Sequence, residues 1–428
     1  MYKHILCLVF LMPFSAQAQI TPMKLDSLAA EAQPQVVEWR RWFHENPELS
    51  NREFNTAKKI EEVLREMGLE PQTGIAQTGI VAVIEGGKPG PMVAIRSDMD
   101  GLPVVEQTGL PFASTKTDVY NGQDVGVMHA CGHDNHMSML LGAAWVLNSV
   151  KDDLAGSVML IFQPAEEGAP EGEEGGAELM LKEGIWADSK PEAVFGIHVG
   201  IATPGGQIAV KPGPLMAAVD SFEITVVGKQ SHGAMPWNGV DPIVVASQIV
   251  LGLQTIVSRQ VDVTLAPSIV SVGRISGGVR NNVIPDRVEM EGTIRTFDEN
   301  MRREIHARIE KTARAIASAA GAEIEFKLLI GYPSVNNNAE LFEQSLPTLQ
   351  RVSGDNPVNI ITPQTVAEDF SFFSNEVPGL FLFLGNGPPD VDPTTLPGNH
   401  SPYFDMYEPN LEMGVRIFSN LVVDYLNN

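Results

Sequence analysis

Cysteine is nearly absent: Cys7 and Cys131 are the only two in 428 residues. Cys7 falls in a leader-like first segment, so the body of the chain keeps one thiol and can close no internal disulfide. Positive charge is scarce too. Against 53 aspartates and glutamates stand 29 lysines and arginines, giving a net charge of −24 and a pI near 4.7. That balance excludes a surface built for nucleic acid or anionic membrane. The apolar run at the N-terminus, Ile5 to Phe14, is ten residues long and holds Pro13, about half of the ~20 needed to cross a bilayer. No internal repeat occurs.

What is present is ample core-forming material, 43% hydrophobic against 19% charged, in a length that suits two to three domains. A disordered tail and a disulfide-stapled miniprotein are both excluded. Lys3 precedes the short apolar run and Ala16-Gln17-Ala18 follows it, the layout of a secretory signal over residues 1–18. Cleavage after Ala18 and export, to the periplasm or beyond, are expected; an uncleaved anchor is the alternative.

Apolar periodicity predicts helices over Leu25–Phe43, Glu53–Met67 (stopped by Gly68) and Ser138–Val150. Strands are expected at Ile80–Ile84, Met92–Ile95, Val158–Phe162 and Ala193–Val199, an alternation that argues for a layered α/β sheet. From Gly213 the order becomes strand Ser221–Val227, helix Asp241–Ser258, strands Ser268–Ile275 and Val288–Thr296, helix Glu299–Ala320, strand Glu323–Leu329. This βαββαβ order is ferredoxin-like. The chain therefore divides into a first catalytic segment (19–213), an inserted lid (214–330) and a second catalytic segment (331–428) that adds a helix at Ala339–Val352, a buried strand at Leu380–Leu384 and a closing helix.

The chemistry concentrates in two clusters. Met128-His129-Ala130-Cys131-Gly132-His133-Asp134-Asn135-His136 offers a thiolate and several imidazoles, and with Cys131 and His133 two apart an extended turn would aim both into one cavity. Such donors suit Zn, Mn, Co or Ni. A lone cysteine is ordinarily a buried structural residue, here beside a helix-capping Asp134, but the flanking histidines reverse that reading. Gln163-Pro164-Ala165-Glu166-Glu167-Gly168 follows a buried strand, so neighbouring carboxylates can diverge, one toward a metal and one toward a water as general base. His198, on an apolar strand, and His400, in a turn-rich loop, are each unremarkable alone. With Cys131, His133 and Glu167 they make five candidate ligands, a set that fits two metal ions sharing a water. Glu171, Glu173, Glu174 and Glu178 read as a solvated acidic loop.

These residues in this order resemble the co-catalytic metallo-amidohydrolases of the aminoacylase and carboxypeptidase family. The branch is that of hippurate hydrolases, N-acyl-amino-acid amidohydrolases and plant indoleacetyl-amino-acid hydrolases. Matching segments run from Trp42–Ser50 through Arg96–Pro103, the Cys131 cluster, Gln163–Gly168, His198, Ser231–Pro236, Asn282–Asp286 and Ala367–Ser371 to His400. The resemblance implies a zinc-peptidase-like α/β/α catalytic domain with an inserted lid, two divalent metal ions, ligands at Cys131, His133, Glu167, His198 and His400, and Glu166 as general base. Asp98-Met99-Asp100 matches the branch's Asp-Met-Asp; relatives outside it carry a His-x-Asp pair here. Asp100 is then the residue that orients a ligand from behind. His44, His129 and His136 are assigned to structure or to support of the ligands, and His306 to the solvated face of a charged helix.

In the lid, the resemblance implies that His232 binds the carbonyl oxygen, often in a partner subunit's site, and that Asn282 and Arg295 hold the substrate carboxylate, with Arg280 in reserve. Arginine suits that task because its planar fork pairs bidentately with a carboxylate. A homodimer or higher oligomer through the lid follows. The expected activity is hydrolysis of the amide between an acyl group and an amino acid. A carboxypeptidase or dipeptidase with the same metals is the rival, and an inactive binding protein of the same fold a more distant one.

Overall fold

Alternation along the central strands decides the layering. The computed structural model describes residues 20–200 and 203–427, so the leader expected over residues 1–18 lies outside the described residues. In the strand Ala155–Gln163, Val158, Leu160 and Phe162 enter one core while Met159 and Ile161 enter another on the opposite side, because successive side chains of a strand point to opposite faces. Both faces are therefore covered. Helices Pro22–Glu45, His133–Ser149 and Leu411–Leu426 close the first core with Val36, Phe43, Leu140, Leu147, Val415 and Phe418. The second core is closed by Gly176–Lys182 and Phe370–Glu376 with Met180, Phe370 and Phe373. This is the α/β/α architecture that the strand and helix alternation predicts.

The sheet has eight strands in the spatial order Gln72–Ile75, Gly79–Glu85, Ala155–Gln163, Lys88–Asp98, Ala193–Gly200, Gly379–Gly385, Ile208–Val210, Val358–Ile360. The middle four run parallel. Their C-terminal ends consequently share one edge, the place where open parallel sheets display ligand-binding groups.

Residues 218–330 form a second sheet with its own core, in the order Ser268–Ser276, Arg287–Thr296, Ala218–Val227, Glu323–Ile330, antiparallel throughout. Numbered along the chain, that is the 2-3-1-4 order of a ferredoxin-like unit. Local chemistry starts and stops its helices: the Asp241 carboxylate accepts from the Ile243 N–H at 2.9 Å with Pro242 in the first turn, and Gly321, at φ 74°, follows the end of Glu299–Ala319. The strand Gly213–Met216 pairs instead with Val335–Asn337, so the two connections to this unit lie side by side.

Periodicity misplaced one boundary that matters. Helix His133–Ser149 begins five residues before Ser138. His133, Asp134, Asn135 and His136 are fully buried by polar partners rather than apolar ones, so the hydrophobic pattern does not register them.

Candidate metal centre and active site

Five chain segments meet at the sheet's C-terminal edge. Asp98 ends one parallel strand and Asp100 follows it; Glu166 and Glu167 lie just beyond Gln163; His198 is near the end of Ala193–Gly200. Cys131 and His133 flank Gly132, whose φ of 102° and lack of a side chain allow close approach: a Cβ there would stand 2.4 Å from Val199 Cγ2. His133 is thus the first residue of a helix, not part of an extended turn. His400 is brought in by its own backbone, whose N–H donates to the Ala130 carbonyl at 2.8 Å.

The side chains converge. Cys131 Sγ lies 3.3 Å from His198 Nε2, and His400 Nε2 lies 3.2 Å from Glu167 Oε1. His133 Nε2 is 3.7 Å from Glu166 Oε2 and 4.0 Å from Glu167 Oε1. Ligand atoms of Cys131, His133 and His198 all lie within 4.8 Å of one another, and so do those of Cys131, Glu167 and His400. Two triplets sharing one thiolate are suited to two cations.

The donors fit such ions chemically. His133 Nε2 is buried without a hydrogen-bond partner, a state that is costly unless something else satisfies it, and Glu167 Oε1 meets only the His400 ring. His133 Nδ1 donates to the Asp100 carbonyl at 2.8 Å and His198 Nδ1 to the Val199 carbonyl at 2.7 Å, which leaves each Nε2 lone pair facing the cluster. Burial, reinforced by Glu167 and Glu166, pushes the Cys131 thiol well above the ordinary thiol range. Burial, with Glu368 and Glu167, pushes the Glu166 carboxyl up as well. Burial opposes charge on His133, but Asp98 and Asp100 outweigh it and raise the imidazole to about 10. A bound cation inverts these preferences, because it favours thiolate, carboxylate and neutral imidazole.

Support beneath the site is largely carboxylate. The Asp100 carboxylate accepts the N–H groups of Glu166 at 3.1 Å and Glu167 at 3.0 Å, and the Ser50 hydroxyl at 2.7 Å. Buried Glu53 accepts the Ala165 N–H at 2.9 Å, where Ala165 holds a φ of 51°. Arg96, fully buried, donates to Gln163, Asp98 and Asp369 and lies 2.9 Å from Glu368. Asn399 Nδ2 donates to the carbonyls of Cys131 and Val199, tying the His400 loop to two ligand segments. Asp134 caps nothing; it pairs with Arg40 and His44, both at 2.9 Å. Sequence reasoning left Ser50, Glu53, Arg96, Glu368 and Asn399 without roles. They stand inside or beside the quoted motifs, but their partners are distant in sequence.

A cavity of about 660 Å³ opens over the cluster, lined by Cys131, Glu166, Glu167, His198 and His400, with Met216, Ile361, Val366 and Phe383 as an apolar wall. Arg295 reaches it from the lid. It is half-buried, burial lowers its pKa, and among the described residues no carboxylate lies within ion-pair distance of it. His232, on the short ladder Ser231–His232/Val283–Ile284, and Asn282, the residue before that second strand, are by contrast exposed and do not line the cavity, so Asn282 is not paired with Arg295 within one chain. Arg280 is exposed and also apart. His306 corrects an expectation: its Nε2 is 2.7 Å from the buried Asp220 carboxylate, and the ring is largely covered rather than solvated.

Comparison with known proteins agrees with this geometry. The model of peptidase family M20/M25/M40 matches residues 94–424. Thermostable carboxypeptidase 1 of Saccharolobus solfataricus is 39% identical over 406 residues, covering 94% of this chain and 98% of that protein. N-acetylcysteine deacetylase of Bacillus subtilis is 40% identical over 393 residues, covering 91% and 96%. A solved Bacillus subtilis structure described as a dinuclear metal binding peptidase from the M20 family is 36% identical with a TM-score of 0.77, covering 93% of this chain and 99% of its own. With a ligand-rich cavity at the edge of a parallel sheet and matches spanning nearly its whole length, the chain belongs to peptidase family M20/M25/M40 and is a hydrolase of amide bonds.

Proposed function

We propose that the protein hydrolyses N-acyl amino acids, alkyl or aryl, to a carboxylic acid and a free amino acid. The observation that carries this reading is the meeting, in one cavity, of Cys131, Glu167, His198 and His400, with His133 buried 4.0 Å behind Glu167, together with Glu166 and an Arg295 without a carboxylate partner. Cys131, His133, Glu167, His198 and His400 would hold two divalent cations, Zn or Mn with Co or Ni as further candidates, and such cations when bound would polarise the amide carbonyl and acidify a water.

Glu166 takes the proton of that water as its oxygen attacks the carbonyl carbon. Glu166 then delivers it to the amide nitrogen, the C–N bond breaks, and the amine leaves neutral. Arg295 clamps the amino-acid carboxylate, and the apolar wall accepts its side chain. Asp100 keeps His133 aimed and the Glu166–Glu167 turn fixed.

His232 and Asn282 complete the site from a second copy of the chain, where His232 stabilises the carbonyl oxygen as it gains charge. Dimerisation through the lid suits its exposed apolar side chains, Ile243, Val244 and Leu251 on the helix Pro242–Arg259 and Ile269 and Ile275 on an edge strand. Export by the residues 1–18 signal puts the enzyme in the periplasm or outside the cell.

The decisive experiment measures amino-acid release from N-acetyl, N-benzoyl and indoleacetyl amino acids beside free dipeptides, with Zn or Mn added. Preferential cleavage of the acyl compounds, abolished by chelation and lowered several orders of magnitude in kcat by Glu166→Gln with metal content kept, is expected. Preference for dipeptides would move the protein to the carboxypeptidase reading, which the likeness to thermostable carboxypeptidase 1 favours.

A further inference from the structure

The Glu166 peptide is held on both sides, and the two holds come from different parts of the molecule. Its N–H, like those of Ala165 and Glu167, is taken by a carboxylate of the catalytic domain, Asp100 or Glu53. Its carbonyl accepts a hydrogen bond from the Tyr332 hydroxyl at 2.8 Å. Tyr332 follows Gly331 on the segment that leaves the last lid strand, Glu323–Ile330, so this one bond reaches the base from the lid connection.

That connection is itself locked. The Tyr332 carbonyl accepts the Val219 N–H at 3.0 Å, joining the chain leaving the lid to the chain entering it. One residue before Tyr332, the Gly331 N–H donates to Asp220 at 3.0 Å, and Arg302 donates both to the Gly331 carbonyl at 3.1 Å and to the Asp220 carboxylate at 2.6 and 2.8 Å. Only glycine fits at 331, since a Cβ would stand 2.5 Å from the Val219 carbonyl oxygen. The Tyr332 ring is set against Phe372, edge to face with centroids 6.0 Å apart. Orientation of the lid at its root therefore fixes where the Tyr332 hydroxyl stands.

We propose that Tyr332 is a positioning residue that couples the lid hinge to the general base through the Glu166 carbonyl. This rests on the reading of Glu166 as that base. When the lid settles on substrate, the hinge places Tyr332 and the Glu166 carboxylate is held in line with the attacking water. Without that bond the turn remains anchored by its N–H groups alone and the carboxylate swings by a fraction of an ångström, enough to slow proton transfer.

Tyr332→Phe, made in the full chain loaded with metal, removes the donor and keeps the ring. The expected result is a kcat lower by about tenfold to a hundredfold, with KM within about twofold and metal stoichiometry and thermal midpoint as in the parent. In a Glu166→Asp background, where the carboxylate is already displaced by one methylene, the same change is expected to cost under twofold, because effects routed through one group are not additive. Arg302→Gln, which loosens the hinge, is expected to lower kcat in the parent and to add nothing to Tyr332→Phe. An unchanged kcat in Tyr332→Phe, or an equal fold loss in both backgrounds, overturns the coupling. Full activity in Glu166→Gln would instead remove the base assignment itself, a separate result.

Discussion

His136 Nδ1 donates to Asp98 Oδ1 at 2.6 Å while its Nε2 accepts the Val199 N–H at 2.8 Å. A backbone N–H can only donate, so the tautomer is settled: the proton is on Nδ1 and the ring is neutral. Burial agrees, lowering the pKa of this imidazole. The ring thus spans two parallel strands one residue past His198, fixing the strand that carries that candidate ligand. Replacing His136 by leucine should weaken metal binding about 10- to 100-fold although His136 is assigned no metal. Competition with a chromophoric chelator measures this, and an unchanged affinity would count against the supporting role.

Arg295 is expected to act on one substrate group only. Arg295→Met should lower kcat/KM on N-acyl amino acids about 10- to 100-fold, the worth of charge-assisted hydrogen bonds to a carboxylate. The same variant should treat the corresponding N-acyl amines, which lack the carboxylate, like the parent. Equal losses on both would show that Arg295 shapes the lid instead of reading the substrate.

Metal removal has a consequence at Cys131. With burial and the Glu167 and Glu166 carboxylates holding its thiol well above the usual range, the stripped protein should be alkylated slowly at neutral pH and faster only as the solution becomes strongly alkaline. Metal-loaded protein should resist throughout, because the thiolate is engaged. Mass-spectrometric labelling rates across pH decide it; matching rates with and without metal would dismiss the ligand role.

His44 makes stability depend on pH. Burial opposes its charge, but hydrogen bonds to Asp134 and Glu106 prevail and raise it to about 9. An unfolded histidine titrates near 6.5, so the folded state holds the extra proton between these values. The stabilisation is complete below about pH 6.5 and drains away as pH rises through about 9, on the order of 3 kcal/mol in all. Urea unfolding should find His44→Gln most damaging at pH ~6, with the deficit shrinking by pH ~9.5. A deficit independent of pH would refute the charged imidazole.

Much of the architecture was legible because each element carries its own code. The unbroken apolar run Val158–Phe162, the Asp241-Pro242 start and the Gly321 stop all lie within a few positions of what they control. The short strands Ile208–Val210 and Val358–Ile360 were not legible, since three residues carry no period and gain their partners only from the folded sheet. His306 was misread for a related reason: a charged helix face is ordinarily solvated, and nothing nearby in sequence announces Asp220, which is buried 86 positions away.

By itself, the sequence determined which donors exist and in what order: a thiol at Cys131, imidazoles at His133, His198 and His400, and the adjacent pair Glu166 and Glu167. It also determined the layering, because strand and helix periods are local. Only the tertiary structure decided that these donors converge, that Arg295 faces their cavity while His232 and Asn282 do not, and that Tyr332 touches Glu166. The reason is physical. Ligation and proton transfer depend on distances of a few ångströms between residues that are far apart along the chain, and those distances are set by how the sheet, helices and lid pack together.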